Sequence, residues 1–314
     1  MTDDTGSGIG TRTGAAKQPV PRGAARGRVV VGTDGSSYAA SAVARAGVEA
    51  TSRGAGLTIV HAAWLSDNPL YPMRPLENAE QRRSDGRLVL DREAERAAAR
   101  FPALSIETLL YDASPASTLT TLSHQATLLV IGARGRGGFT GMLLGSVGST
   151  LAAHARCPLV VVRTEPDEGA REELVLGVGA KRSPAAARFA FETARRESLA
   201  LLAIRGWWPN SHNGGMIAPR SEYLAEELDL FRLGALADAQ AAIEPFQAEF
   251  PDVAVRLEVH EDNAVPALVN AARDRKLLVV GAHRDRGPLS AGAGYVVDGV
   301  LGHASAPVAI VPEY

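Results

Sequence analysis

Short apolar runs alternate along this chain with longer stretches in which small apolar residues recur at helical spacing. Arg28–Gly32 reads RVVVG, a β-branched run that predicts a strand buried on both faces. Ser36 or Ser37 can cap the helix that follows, where Ala39, Val43, Ala46 and Ala50 share one face. Leu57–Ala62 predicts a second strand and the alternating Ser105–Tyr111 a third. Leu128–Ile131 and Pro158–Arg163 supply the fourth and fifth. Between them lie a charged, Ala-rich helix over Asn78–Arg100 with Gly86 as a point of interruption, a helix opened by Ser114 and Pro115, and a helix ending near Ala155. Such alternation implies a parallel sheet with helices on both faces. The first strand is the most apolar, which suits a central position.

The pattern then repeats. Gly132 falls on Gly281, and the match continues without a gap from Tyr111–Val162 to His260–Val311. Nearer the N-terminus, Arg28–Gly32 matches Leu174–Gly177, and the run from His61 to Trp64 matches that from Ile204 to Trp207. Two copies of one fold follow: residues 28–165 as a first domain, 166–172 as a linker and 173–314 as a second domain. Residues 1–27 are rich in Gly, Ala, Thr and Arg and nearly empty of large apolar side chains, so they read as a disordered tail.

Composition narrows the function classes. The 314 residues are 46% hydrophobic and 22% charged, as in a packed globular protein. A net charge of −2 gives no bulk attraction to nucleic acid. No run is long and apolar enough for a membrane span. The single cysteine, Cys157, excludes an internal disulfide and fits a reducing, cytoplasmic setting.

Candidate chemistry sits on two loops of the first copy, each leaving the carboxyl end of a strand. One is GTDGSS, Gly32–Ser37. The other is GARGRGGFTGMLLGSVGST, Gly132–Thr150, with seven glycines. If the first and fourth strands are neighbours, both loops border the crevice where doubly wound sheets bind ligands. Asp34 can accept from ribose hydroxyls, glycines let backbone N–H groups approach phosphate, and a helix starting at Gly145-Ser146 adds its dipole. The loop is not of the Walker type, which needs a Gly-Lys-Ser/Thr that is absent here. Arg134 and Arg136 can screen phosphate or simply solvate the loop.

Gly132-x2-Gly135-x9-Gly145-Ser146 resembles the ATP-binding signature of the universal stress protein family, G-x2-G-x9-G-[S/T]. The opening Val31-Gly-Thr-Asp34-Gly-Ser36 and the closing strand Ala155–Val162 resemble that family too. The resemblance implies two tandem α/β, Rossmann-like domains, each a five-stranded parallel sheet of order 3-2-1-4-5 with helices on both faces. It implies ATP, with or without Mg²⁺, in the first domain. There Thr33 and Asp34 would meet the ribose and adenine side, Ala62 the adenine, Gly132 and Gly135 the ribose and α-phosphate, and Gly145, Ser146 and Val147 the distal phosphates. It also implies an intramolecular pseudo-dimer of the two domains through the edge strands Leu159–Val162 and Val308–Val311, and leaves a homodimer open.

The second copy departs from the signature. Asp34 becomes Gly179, Gly135 becomes Arg284 and Ser146 becomes Tyr295, so ATP is not expected there in the family manner. The leading reading is a nucleotide-dependent regulatory protein of stress adaptation, with at most weak ATP hydrolysis. A slow ATPase or nucleotidyl-transfer enzyme of the same fold, and a ligand-free scaffold, are the alternatives. His154 and His303, which occupy one place in both copies, are expected to pack structurally, and Cys157 to act as a small buried apolar group.

Overall fold

The structure, a computed structural model, describes residues 10–13, 23, 25–63, 79–135, 144–163, 170–207, 225–283 and 293–314. The chain divides into two compact units, Met1–Glu165 and Pro166–Tyr314.

Unit 1 contains strands β1 (Gly10–Thr13), β2 (Val29–Gly32), β3 (Leu57–Ala62), β4 (Ile106–Tyr111), β5 (Leu128–Gly132) and β6 (Leu159–Val162). Its helices are α1 (Ser37–Ser52), α2 (Ala79–Arg100), α3 (Pro115–Leu122) and α4 (Ser146–His154). The strand order is β1-β4-β3-β2-β5-β6 and every pair is parallel. Val29, Val30 and Val31 of β2 are wholly buried, as the central strand of a sheet covered on both faces must be. The winding reverses at β2, which has β3 on one side and β5 on the other. This reversal brings the loops that leave β2 and β5 side by side.

Unit 2 repeats the plan with β7 (Arg171–Gly177), β8 (Ala200–Trp207), β9 (Val255–Glu261), β10 (Arg275–His283) and β11 (Val308–Glu313). The helices are α5 (Pro184–Glu197), α6 (Ala225–Glu249), α7 (Ala264–Ala272) and α8 (Tyr295–His303). Its order is β9-β8-β7-β10-β11, again all parallel. Both units thus carry the five-strand order expected from the sequence. No helix among the described residues is long and apolar enough to cross a membrane.

Three readings of the sequence need correction. Residues 10–13, inside the stretch expected to be disordered, form β1 and pair in parallel with β4. An edge strand offers unpaired backbone donors and acceptors, so a segment can join it without apolar side chains of its own. Helix α2 runs through Gly86 without a break. The glycine is there for packing, since a Cβ would fall 2.7 Å from Leu110 and 2.9 Å from His61. Finally, Gly32 pairs with Val60 while Gly177 pairs with Ile204. Ile204 is therefore the counterpart of Val60, Arg205 that of His61 and Gly206 that of Ala62. The sequence match of the Trp64 and Trp207 runs was one residue out of register.

Candidate functional site

Four residues join β2 to α1, and hydrogen bonds fix each of them. The N–H of Thr33 donates to the Val60 carbonyl at 2.8 Å. The Thr33 carbonyl lies 2.8 Å from Nδ1 of His61, so that nitrogen carries the proton. The Thr33 hydroxyl accepts from the N–H of Gly35, which adopts φ +75°, and Oδ1 of Asp34 accepts from the N–H of Ser36 at 3.0 Å. Ser36 in turn caps α1 by accepting from the N–H of Ala39. Asp34 is thereby held half-exposed at the tip of the central strand.

The loop after β5 is pinned at both ends. Ala133 donates to the Val162 carbonyl at 2.8 Å, and Gly145 donates to the Ala133 carbonyl at 3.0 Å. Helix α4 begins immediately afterwards with Gly145 as its N-cap and no side-chain cap. The N–H groups of its first turn thus have no side-chain acceptor, the arrangement that favours an anion.

Thr33, Asp34, Ala62, Gly132, Gly135, Gly145, Ser146 and Val147, all expected at a ligand, line a single cavity of about 390 Å³. Arg134 lines it as well. Arg136, Gly137, Gly138 and Gly141 lie outside the described residues. The cavity has an apolar wall that sequence reasoning missed, formed by Val60, Pro115, Leu119 and Ile131. Pro115 had been read only as a helix-start residue. Its place beside Ala62 depends on β4 lying next to β3.

The glycines of the signature have different causes. A Cβ on Gly132 would fall 2.8 Å from the backbone of Tyr38, and one on Gly135 would fall 2.6 Å from Oδ2 of Asp34. On Gly145 the nearest atom would be 3.8 Å away, and its φ of −73° suits any residue. Among the described residues nothing requires Gly145 to be a glycine.

Two arginines stand close to one another, and Arg134 lines the cavity. The Arg134 guanidinium lies 5.9 Å above the Tyr38 ring. Burial, and next the like charge of Arg134, pull the Arg163 guanidinium below its ordinary pKa, while Tyr38 works the other way. An anion between them would relieve that repulsion. Among the described residues no group of His, Cys, Asp and Glu could hold a metal ion.

Unit 2 has replaced this arrangement. A Cβ on Gly206, the counterpart of Ala62, would meet Cα of Ala264 at 2.8 Å, so the β9–α7 turn closes on the strand end. Glu313 accepts from the N–H groups of Ala185 at 3.3 Å and Ala186 at 3.0 Å, supplying an internal carboxylate to the start of α5. His283 Nε2 lies 2.9 Å from the Ser183 hydroxyl. Gly294 adopts φ +103°, so backbone conformation alone accounts for that glycine. Tyr295 is 76% exposed, so its ring points to solvent and does not fill a phosphate position. Arg284 lies outside the described residues.

His154 and His303 are exposed at the last residues of α4 and α8, where a positive charge suits the helix dipole. Cys157 is 5% exposed, as expected of a small apolar group, and burial pushes its thiol up to about 12.

The family model of universal stress proteins matches the chain twice, over residues 25–163 and 171–312. Universal stress protein Rv2623 of Mycobacterium tuberculosis is 30% identical over 305 residues, which cover 91% of this chain and 96% of that one. Universal stress protein Rv2005c of the same organism is 30% identical over 296 residues, covering 91% and 97%. Among solved structures, a universal stress protein from Archaeoglobus fulgidus shares the fold with a TM-score of 0.63 at 12% identity, covering 91% of this chain and 98% of that chain.

Proposed function

The chain belongs to the universal stress protein family twice over, and from that premise we propose that unit 1 is an ATP receptor through which the protein regulates a stress response. One observation carries the reading. Eight residues that the family resemblance implies, from the ends of β2, β3 and β5 and the start of α4, line one cavity of about 390 Å³. Its size falls in the range of small-ligand sites.

The residues fit the groups of ATP. The apolar wall of Val60, Pro115, Leu119 and Ile131 suits an adenine ring. Asp34 is placed to accept from ribose hydroxyls. The uncapped first turn of α4, the Ser146 hydroxyl and the cation Arg134 suit the phosphates. Among the described residues no contact accounts for Gly145, which fits a ligand that approaches the backbone. Any Mg²⁺ would arrive on the phosphates, because the described residues offer no carboxylate cluster for it. Unit 2, with Gly179 in place of Asp34 and Ala264 closed against Gly206, does not take ATP in this manner.

The test is to purify the chain without added nucleotide, denature it and identify what is released by chromatography. About one equivalent of ATP per chain supports the reading. Two equivalents would overturn the statement about unit 2. No nucleotide, together with no binding on titration with ATP, ADP, AMP or cyclic AMP, would leave a ligand-free scaffold.

A further inference from the structure

Helix α6 carries two apolar faces. Ala235, Ala239, Ile243 and Phe246 recur at helical spacing and are buried, as expected of the face that covers the sheet. A second row, Leu230, Leu233 and Ala237, with Gly234 beside it, has the same spacing. At about 100° of rotation per residue, it lies on the opposite side of the helix. Leu230 is 69% exposed, Leu233 is 51% exposed and Ala237 is exposed. A Cβ on Gly234 would meet nothing within 4 Å, so the space above it is open.

The counterpart helix in unit 1 is different. On α2 the exposed side shows Ser84, Leu88, Asp91 and Glu95, in which one leucine stands alone among polar groups. A lone exposed leucine is ordinary in a helix. A row at the spacing of one helix face, turned away from the core, is the pattern by which helices dock.

Charge narrows what can dock. The row runs into acids at both ends, Glu226 one turn before Leu230 and Glu244 two turns after Ala237. Asp229 and Asp238 stand on its two flanks. From Ala225 to Glu244 there are five acids and one base, Arg232, whose Nε lies 3.5 Å from Asp229. Two copies of this face would set acid against acid, and an anionic lipid surface would be repelled as well. The row is about 10 Å long, which suits a small, reversible contact.

We propose that the outward face of α6 is a docking surface for a basic amphipathic helix of another protein. Its apolar stripe packs on Leu230, Leu233 and Ala237, close to the backbone at Gly234. Its lysines or arginines meet Glu226, Asp238 and Glu244. The surface lies within unit 2 and needs no nucleotide in unit 1.

The experiment is fluorescence anisotropy of a labelled peptide titrated with the full chain. The peptide is about 14 residues of Leu, Ala and Lys, with its leucines at the spacing of one helix face. The controls are the same composition in scrambled order and a version with Glu for every Lys. The basic amphipathic peptide should bind saturably near one equivalent per chain, at least about tenfold more tightly than either control. Leu230→Gln with Leu233→Gln should weaken it about tenfold or more and leave the thermal melt unchanged, since both side chains are exposed. Glu226→Gln with Glu244→Gln should weaken it and lessen its salt dependence. The proposal is overturned if the peptide does not bind, if the scrambled peptide binds as well, or if the Leu230/Leu233 variant binds as the parent does. It is also overturned if sedimentation shows a dimer that the Leu230/Leu233 variant dissociates, or if the parent but not that variant binds phosphatidylcholine vesicles.

Discussion

A Cβ on Gly135 would stand 2.6 Å from Oδ2 of Asp34. The glycine is thus tied to the carboxylate across two loops that are a hundred residues apart in the chain. The second copy carries both changes together, with Gly179 for Asp34 and Arg284 for Gly135. Where the carboxylate is absent, the requirement for a bare backbone goes with it.

Gly135→Ala should therefore displace the Asp34 side chain and not the fold. A lost hydrogen bond to a charged group corresponds to about 1.5–3 kcal/mol, so nucleotide affinity should fall about tenfold or more. In an Asp34→Ala background the same substitution should cost nearly nothing. A double-mutant cycle by calorimetry reads the coupling, and additive losses would show that the two residues act separately.

Gly145→Ala separates ligand from fold. The added methyl has room among the described residues and its backbone is ordinary, so stability should stay within about 0.5 kcal/mol. Nucleotide binding should be lost or greatly weakened. An unchanged affinity would mean that no ligand approaches this backbone.

Glu49 on α1 is completely buried between Arg45 and Arg53, with Oε2 2.9 Å from Nη2 of Arg53 and a second, short hydrogen bond to Arg45. Burial by itself raises its carboxyl, but the two arginines outweigh burial and hold it below the ordinary value. Glu49→Ala removes the buried carboxylate that both arginines meet and should cost about 3–5 kcal/mol, measured by urea unfolding. A depressed folded-state pKa means that this contribution is complete above the ordinary carboxylate range and is lost as pH falls below it. The variant lacks this titration, so its stability should fall less steeply than the parent's below about pH 4.5.

Cys157 should be inert in the folded chain. Its thiol is raised from an ordinary 9.0 to about 12, so at pH 8 it is protonated and covered. A disulfide reagent should label it only after denaturation. Because the folded value is the higher one, the thiol's stabilising contribution is present below pH 9.0 and declines as pH rises toward 12. Rapid labelling of native protein would contradict this burial.

Much of the architecture was legible in the residues. The valines of β2 are apolar at consecutive positions because the strand is covered on both faces, and that signal is local. The repeat from Tyr111 to Val162 marked the second copy, and the spacing of Gly132, Gly135 and Gly145 marked the loop that borders the cavity. Edge strand β1 was not legible, because backbone pairing leaves no trace in side-chain composition. Nor was the register of β8, where a shared tryptophan drew the match one residue away from the pairing of Gly177 with Ile204.

The sequence by itself determined the two-copy α/β plan, since periodicity and repetition are properties of the chain, and its resemblance to the family implied the strand order and the set of residues gathered at unit 1. Only the tertiary structure decided why each glycine is a glycine. Gly132 yields to Tyr38, Gly135 to Asp34 and Gly294 to its own φ, while Gly145 yields to nothing among the described residues. It also decided that Arg205 and not Ile204 replaces His61, because a residue's neighbour across a strand is set by hydrogen-bond register, which no single segment contains.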